Sequence, residues 1–314
     1  MIDPLFESWR RRALPAAKME TLGSELDELG RASGNGPDAQ QFAKAYVFHR
    51  SSAFDPGPQA VPREWSSVRN AALMRRALEV ARSQTAARLQ LDTLAALEAE
   101  TWGAFLMSFL LVELRGRLDR GEIDGQQRAL LRLVTPLTPL ITGRQAVGAL
   151  SDLIDGVGSI GAAGCSGLPE LLRSAQHRPA SEASADALSI EALSCPDLHD
   201  ALAALMGRAS SCLRSIREPR LAAAGRQAIG ALERAALWLE SGKEQEVLEA
   251  GARRLAMTLA RGLQLALLCE HAQWMLDHGG DRRGFAAALR YSRLPVDLIH
   301  EVDPELDRLL MTSR

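Results

Sequence analysis

Apolar residues along this chain recur at three- and four-residue spacing, with polar residues between them. That period is the signature of amphipathic helices. Leu22, Leu26 and Leu29 form a first short stripe that ends at Gly30, and the Gly-Asn-Gly-Pro run at 34–37 forces a turn. Residues 54–63 hold Pro56, Pro58 and Pro62 with Gly57, which reads as an irregular connection. From 67 to 116 the pattern is helical almost throughout. Ala72, Leu73, Leu78, Val80 and Ala81 mark one helix; Leu94, Leu97, Phe105, Phe109, Leu111 and Leu114 supply the apolar side of another over 93–118. A turn at 121–125 precedes a third helix over 126–155. Pro136 and Pro139 lie inside it, each removing an i to i−4 hydrogen bond, so a kink is predicted near 135–140. A glycine-rich stretch, 156–167, leads into a short helix at 168–176 with Pro169 in its first turn. Further helices are predicted at 187–194, 196–216, 219–241, 244–277 and 282–291. No strand-period segment of any strength appears, so the predicted fold class is all-α.

Composition supports this. Of 314 residues, 46% are hydrophobic but only 4% aromatic, so the core must be built from Leu, Ala and Val. Alanine and leucine lose little side-chain entropy in a helix. The net charge of −2 gives no global case for nucleic acid or an anionic membrane. The strongest apolar run, 105–112, is far shorter than the ~20 residues of a membrane span and reads as a buried helix segment. Lys18, Lys44 and Lys243 are the only lysines; the excess of arginine fits phosphate recognition or, more simply, a GC-rich coding bias. Cys165, Cys195, Cys212 and Cys269 are widely spaced without a CxxC, which favours reduced thiols in a cytoplasm. The N-terminus lacks the pattern of a signal peptide.

Three groups of residues are candidates for chemistry. Glycines at 156–167 allow close backbone approach to a ligand. They follow a helix rather than a strand, so neither a Rossmann nor a P-loop phosphate cradle is indicated. His271 and His278 share a helix face but sit roughly 10 Å apart along its axis, too far for one zinc; no metal site is expected. Glu182, in a polar stretch after Pro179, reads by itself as an exposed glutamate.

Several segments resemble the C-terminal helical domain of the acyl-CoA dehydrogenases. They run from Arg144 to Leu150, through the glycine stretch, and from Gly167 to Gln176, with Leu131 to Leu137 just upstream. The nearest branch is the alkylation-response, isovaleryl-type group, whose helical C-terminal extension is similar to the segments at 248–255 and 270–278. The similarity runs in order from about Ala71 to Leu298, with a weaker one at 24–31. The resemblance implies site residues. A Gly-Gly-x-Gly-Tyr loop lies against flavin and CoA in that family; Gly158 and Gly161 keep two of its glycines, while Ser159 and Ala162 replace the second glycine and the tyrosine. The family's Trp/Tyr-Glu-Gly-Thr/Ser motif holds the catalytic base. It maps onto 181–184, keeping a carboxylate at Glu182 and a hydroxyl at Ser184, with Ser181 and Ala183 replacing the aromatic and the glycine. An Arg-x-x-Phe-Gly turn followed by a glutamine helps hold the flavin pyrophosphate. Arg75 and Gln84 match it, but Leu78 and Glu79 replace Phe and Gly.

The resemblance therefore predicts an up-down helical bundle over 66–195 and a helical extension over 196–314. Residues 1–65 are read as an N-terminal helical remnant and connection. The family's β-domain does not fit into the proline-rich gap before 66. With the flavin-holding features altered, no cofactor is expected, or FAD if the family site survives. The predicted function is a non-dehydrogenating helical partner or scaffold, as a homo-oligomer or with an intact acyl-CoA dehydrogenase. The alternative is an enzyme acting on an acyl thioester, with Glu182 as base. Nucleic-acid binding ranks lowest: from Pro196 onward sixteen basic residues face sixteen acidic ones, which leaves no basic footprint.

Overall fold

The computed structural model describes residues 63–84, 88–157, 167–176, 184–242 and 244–300, together with Leu309. Among the described residues there is no strand. The helices are α1 (Arg63–Gln84), α2 (Arg88–Asp119), α3 (Gly125–Val157), α4 (Leu168–Gln176), α5 (Ala185–Leu193), α6 (Leu198–Arg214), α7 (Pro219–Glu240), α8 (Gln245–Gly279) and α9 (Arg283–Tyr291). The all-α expectation is met. The leucine stripe at 22–29, the turn at 34–37 and most of the proline-rich connection lie outside the described residues.

Two long helices organise the rest. α3 packs against α1, α2, α4, α5, α6 and α8; α8 packs against α2, α3, α5, α6, α7 and α9. Such helices must be apolar on nearly every side, which blurs the one-sided stripe of a surface helix. On α8 the consecutive residues Leu255 to Ala260 are all buried, as are those from Gly262 to Cys269. α2 behaves likewise: it is the buried helix the sequence indicated, but its apolar stretch is longer than 105–112. The stretch Leu91–Asp119 is long and apolar enough to cross a membrane, its most apolar 18-residue window having mean hydropathy 1.4. Yet 78% of its most apolar window is buried against other helices, as befits a core helix. One continuous hydrophobic core links both sides of residue 196, from Val68 on α1 to Val296 beyond α9.

Local chemistry sets the helix ends. α1 begins at Arg63, earlier than its apolar stripe, because Ser66 and Ser67 are buried within it and the Ser67 hydroxyl donates back to the Arg63 carbonyl at 2.9 Å. α3 runs through Pro136 and Pro139 without a break. Pro219 opens α7, where a missing N–H costs nothing, and Glu218 accepts from the Arg220 N–H. α8 stops at Gly280, whose φ of 64° favours a residue without Cβ. Gln273 on α8 accepts the N–H groups of Arg217 and Glu218 at 2.9 Å each, pinning the link between α6 and α7.

Candidate functional site

Gly158, Gly161 and Glu182 lie outside the described residues; their flanks are described. α3 ends at Val157 and α4 starts at Leu168, so the glycine stretch joins these two helices. Ser184, matched to the motif's hydroxyl, is the N-cap of α5: its side chain accepts from the Ala187 N–H at 3.1 Å. That hydroxyl therefore has a structural task in this chain. Glu182 stands two residues before the cap.

Around this point the described elements are tied together by arginines of α1. Arg63 makes a two-pronged pair with Glu191 of α5, and Arg69 donates to the Ser174 carbonyl near the end of α4. Arg69, Arg173, Ser174 and Gln176 line an open depression of about 560 Å³ at the end of α4.

Arg75 lies mid-way along α1 and faces α2. Its Nη1 donates to Glu98 Oε1 at 2.7 Å, while its Nε lies 3.7 Å from Glu79. Arg82 Nη2 sits 2.8 Å from Glu98 Oε2, and Trp102 Nε1 donates to Oε1 at 2.9 Å. Glu98 thus gathers two guanidiniums and an indole N–H. The Glu98 and Arg75 side chains are only 23% and 21% exposed, so these charges act on one another with limited screening. Gln84 is the last residue of α1. Leu78, in place of the family's phenylalanine, is fully buried in the core, and Glu79 points largely into solvent. These residues do not fit a flavin pyrophosphate. An arriving diphosphate would meet Glu98 and Glu79 around the arginine meant to receive it, and like charges at such range repel.

Two polar clusters, one buried and one half-buried, escaped the sequence reading. In the first, Gln145 of α3 and Gln264 of α8 exchange reciprocal amide hydrogen bonds at 3.1 Å, and the Tyr291 hydroxyl donates to Gln264 Oε1 at 2.5 Å. Gly103 lets α2 approach this cluster; a Cβ there would lie 3.3 Å from the Tyr291 ring. Burial holds the Tyr291 phenol far above its ordinary range, so it stays protonated. Glu100, nearby on α2, has its pKa raised by burial, partly offset by Arg261 and reinforced by Asp152. Gln264 and Tyr291 are fully buried, so the cluster pins three helices and offers no surface to a substrate. The one sequence signal was a lone glutamine inside the apolar run 263–269.

In the second cluster, Arg208 of α6 forks onto Glu270 of α8 at 3.2 and 2.8 Å, and its Nη1 lies 2.7 Å from Cys212 Sγ. Burial, with Cys212 beside it, pushes the Cys269 thiol up to about 12, which makes it an inert core residue. Among the described residues no group of three or more His, Cys, Asp or Glu side chains converges as a metal site. His271 is buried between Trp102 and Trp274, with ring centroids 6.0 Å from each, while His278 stacks on the other side of Trp274 at 4.7 Å. The two histidines thus serve an aromatic ladder.

Comparison with known proteins agrees with this architecture. The fold is that of the acyl-CoA dehydrogenase C-terminal helical domain. Residues 200–305 match the family model described as acyl-CoA dehydrogenase 11 C-terminal domain-like. Among curated proteins, acyl-CoA dehydrogenase family member 11 of Caenorhabditis elegans is 29% identical over a match covering 68% of this chain and 37% of that protein. The crystal structure of Caenorhabditis elegans ACDH-11 in complex with C11-CoA superposes with a TM-score of 0.70 at 26% identity, covering 79% of this chain and 45% of that one. The apo form of Bd2924, 21% identical with a TM-score of 0.56, shares the fold over 76% of this chain and 44% of that one. These matches show that the chain is similar to acyl-CoA dehydrogenases. The chain spans less than half the length of the relatives it matches.

Proposed function

We propose that this protein is an acyl-CoA dehydrogenase-like helical subunit of the cytoplasm that does not itself dehydrogenate. It acts as a partner or scaffold, pairing with a second copy or with an intact acyl-CoA dehydrogenase, and stands nearest the alkylation-response branch. The observation that carries this reading is the state of Arg75. The arginine matched to the flavin pyrophosphate is held by Glu98, with Glu79 on its other side. Dehydrogenation of an acyl thioester needs a proton acceptor and a hydride acceptor, both within about 3–3.5 Å of the substrate. A carboxylate at Glu182 supplies only the first.

The test is the visible absorbance of the purified full chain, together with acyl-CoA turnover coupled to a dye acceptor. The expected result is a colourless protein without turnover that elutes as an oligomer, or with an intact dehydrogenase from its host. Stoichiometric flavin bands would overturn the reading.

A second reading follows from the C11-CoA bound to the Caenorhabditis elegans neighbour. In that reading this chain also binds a long acyl thioester, and Glu182 acts as base in a dehydrogenation or in a redox-neutral isomerisation or elimination. Glu182→Gln should then abolish thioester conversion while leaving binding intact. Equal conversion by both proteins would exclude it.

A further inference from the structure

We propose that Glu98 is an internal counter-anion, a built-in occupant of an anion site formed by Arg75, Arg82 and Trp102. Two hydrogen-bond donors and a further cation, on two helices, converge on this one carboxylate. Arg75 Nη1 and Trp102 Nε1 meet Oε1 at 2.7 and 2.9 Å, and Arg82 Nη2 meets Oε2 at 2.8 Å. Two cations and a neutral N–H aimed at one point are the donor set that binds a phosphate or diphosphate oxygen cluster. Trp102 is 5% exposed and Arg75 is 21% exposed, while Arg82 at 45% forms the open side, so the inner part of the site is screened from water. A guanidinium in such a place needs a counter-charge, because an uncompensated half-buried cation is costly. Glu98 is attached to the fold, four residues before Trp102 on the same helix. It fills the site at an effective concentration that a free anion cannot match. Glu79 reaches the same guanidinium only at 3.7 Å and is 64% exposed, so it leaves the inward-facing donors to Glu98.

The consequence is a site that is closed in the native protein and opens when Glu98 is removed. The inference shares with the proposed function only the role given to Arg75, and it makes no use of Glu182.

The experiment titrates pyrophosphate, with inorganic phosphate as the weaker probe, at constant ionic strength. Binding is followed by calorimetry and by thermal melting of the full chain. The native protein should respond to neither probe. Glu98→Ala should melt lower, recover on adding pyrophosphate and bind it saturably, at least about tenfold tighter than native. Adding Arg75→Gln to that variant should erase the gain. Glu98→Gln keeps the side-chain volume and the acceptor for Trp102. It should fold even if Glu98→Ala does not, and should show the same gain in weaker form.

Native protein that binds pyrophosphate as well as the variants overturns the proposal. So does a folded Glu98→Gln variant with no gain, or a gain that survives Arg75→Gln. A colourless native protein with unresponsive variants sinks this inference and leaves the proposed function standing. A flavin-bearing native protein whose variants gain pyrophosphate binding does the reverse.

Discussion

The two ends of the bundle share one apolar core but differ in what is added to it. Helices α6 to α9 meet through glycines that let helices touch. A Cβ on Gly225 would come within 2.9 Å of Leu213, one on Gly262 within 2.7 Å of Leu232, and one on Gly251 within 2.4 Å of the Trp238 ring. At the other end, α1 is bound to α2, α4 and α5 by arginines: Arg75 and Arg82 on Glu98, Arg69 on the Ser174 carbonyl, Arg63 on Glu191. Close apolar packing specifies a shape and tolerates little change. Ion pairs in partial contact with water specify a charge balance and contribute less to stability. The family-model match lies in the tightly packed end. Arg75, matched to the dehydrogenase cofactor site, lies at the arginine-tied end, where its charge is met by Glu98 and Glu79.

Substitutions can break or sharpen this contrast, and the largest effect is expected in the packed half. Gly251→Leu has no room against the Trp238 ring, so it should cost about 3 kcal/mol and lower Tm by roughly 5–10 °C. An unchanged melting curve would remove close approach as the organising feature there. Arg208→Met comes next. It leaves Glu270 without its forked partner at a site where the two side chains are 24% and 20% exposed, and should cost about 2 kcal/mol in denaturant melts. Replacing Glu270 by Leu in the same chain should recover much of that loss.

Glu100→Gln tests the interior charge, and its effect is of opposite sign. Burial raises the folded pKa of Glu100, so the protonated form suits the fold. That favourable contribution is complete in acid and is lost as the pH rises through the raised pKa; at neutral pH the ionised group costs stability. The glutamine variant should therefore melt slightly higher at neutral pH. The difference should close as the pH falls through the ordinary glutamate range, and a gain that persists in acid would refute the charge explanation. The smallest change is expected for Arg63→Ala, whose pair with Glu191 is 35% and 43% exposed. It should shift stability by no more than about 1 kcal/mol. A loss as large as that of Arg208→Met would erase the distinction between the two ends.

Much of the fold was legible along the chain because helices are local. The short helix at 168–176 was read with the boundaries that the structure shows, since Gly167 and Pro169 punctuate its start. α1 and α2 were longer than their stripes indicated. The start of α1 carries buried serines, on which periodicity is silent. The candidate site was less legible. Arg75 could be matched to a motif, but its partner Glu98 lies 23 residues away on another helix. Ser184 could be matched to the motif's hydroxyl, while its helix-capping geometry was not apparent from the motif alone.

The sequence by itself determined an all-helical chain, the order of its helices and the family that its segments resemble. Those properties follow from spacing within each segment, which neighbouring residues carry. Tertiary structure decided which polar groups meet. Gln145 finds Gln264 across 119 residues, and one carboxylate on α2 gathers two arginines from α1. Such pairings depend on how helices far apart in sequence lie against each other in the fold. They decide whether an arginine that looks like a cofactor ligand is held by the protein itself.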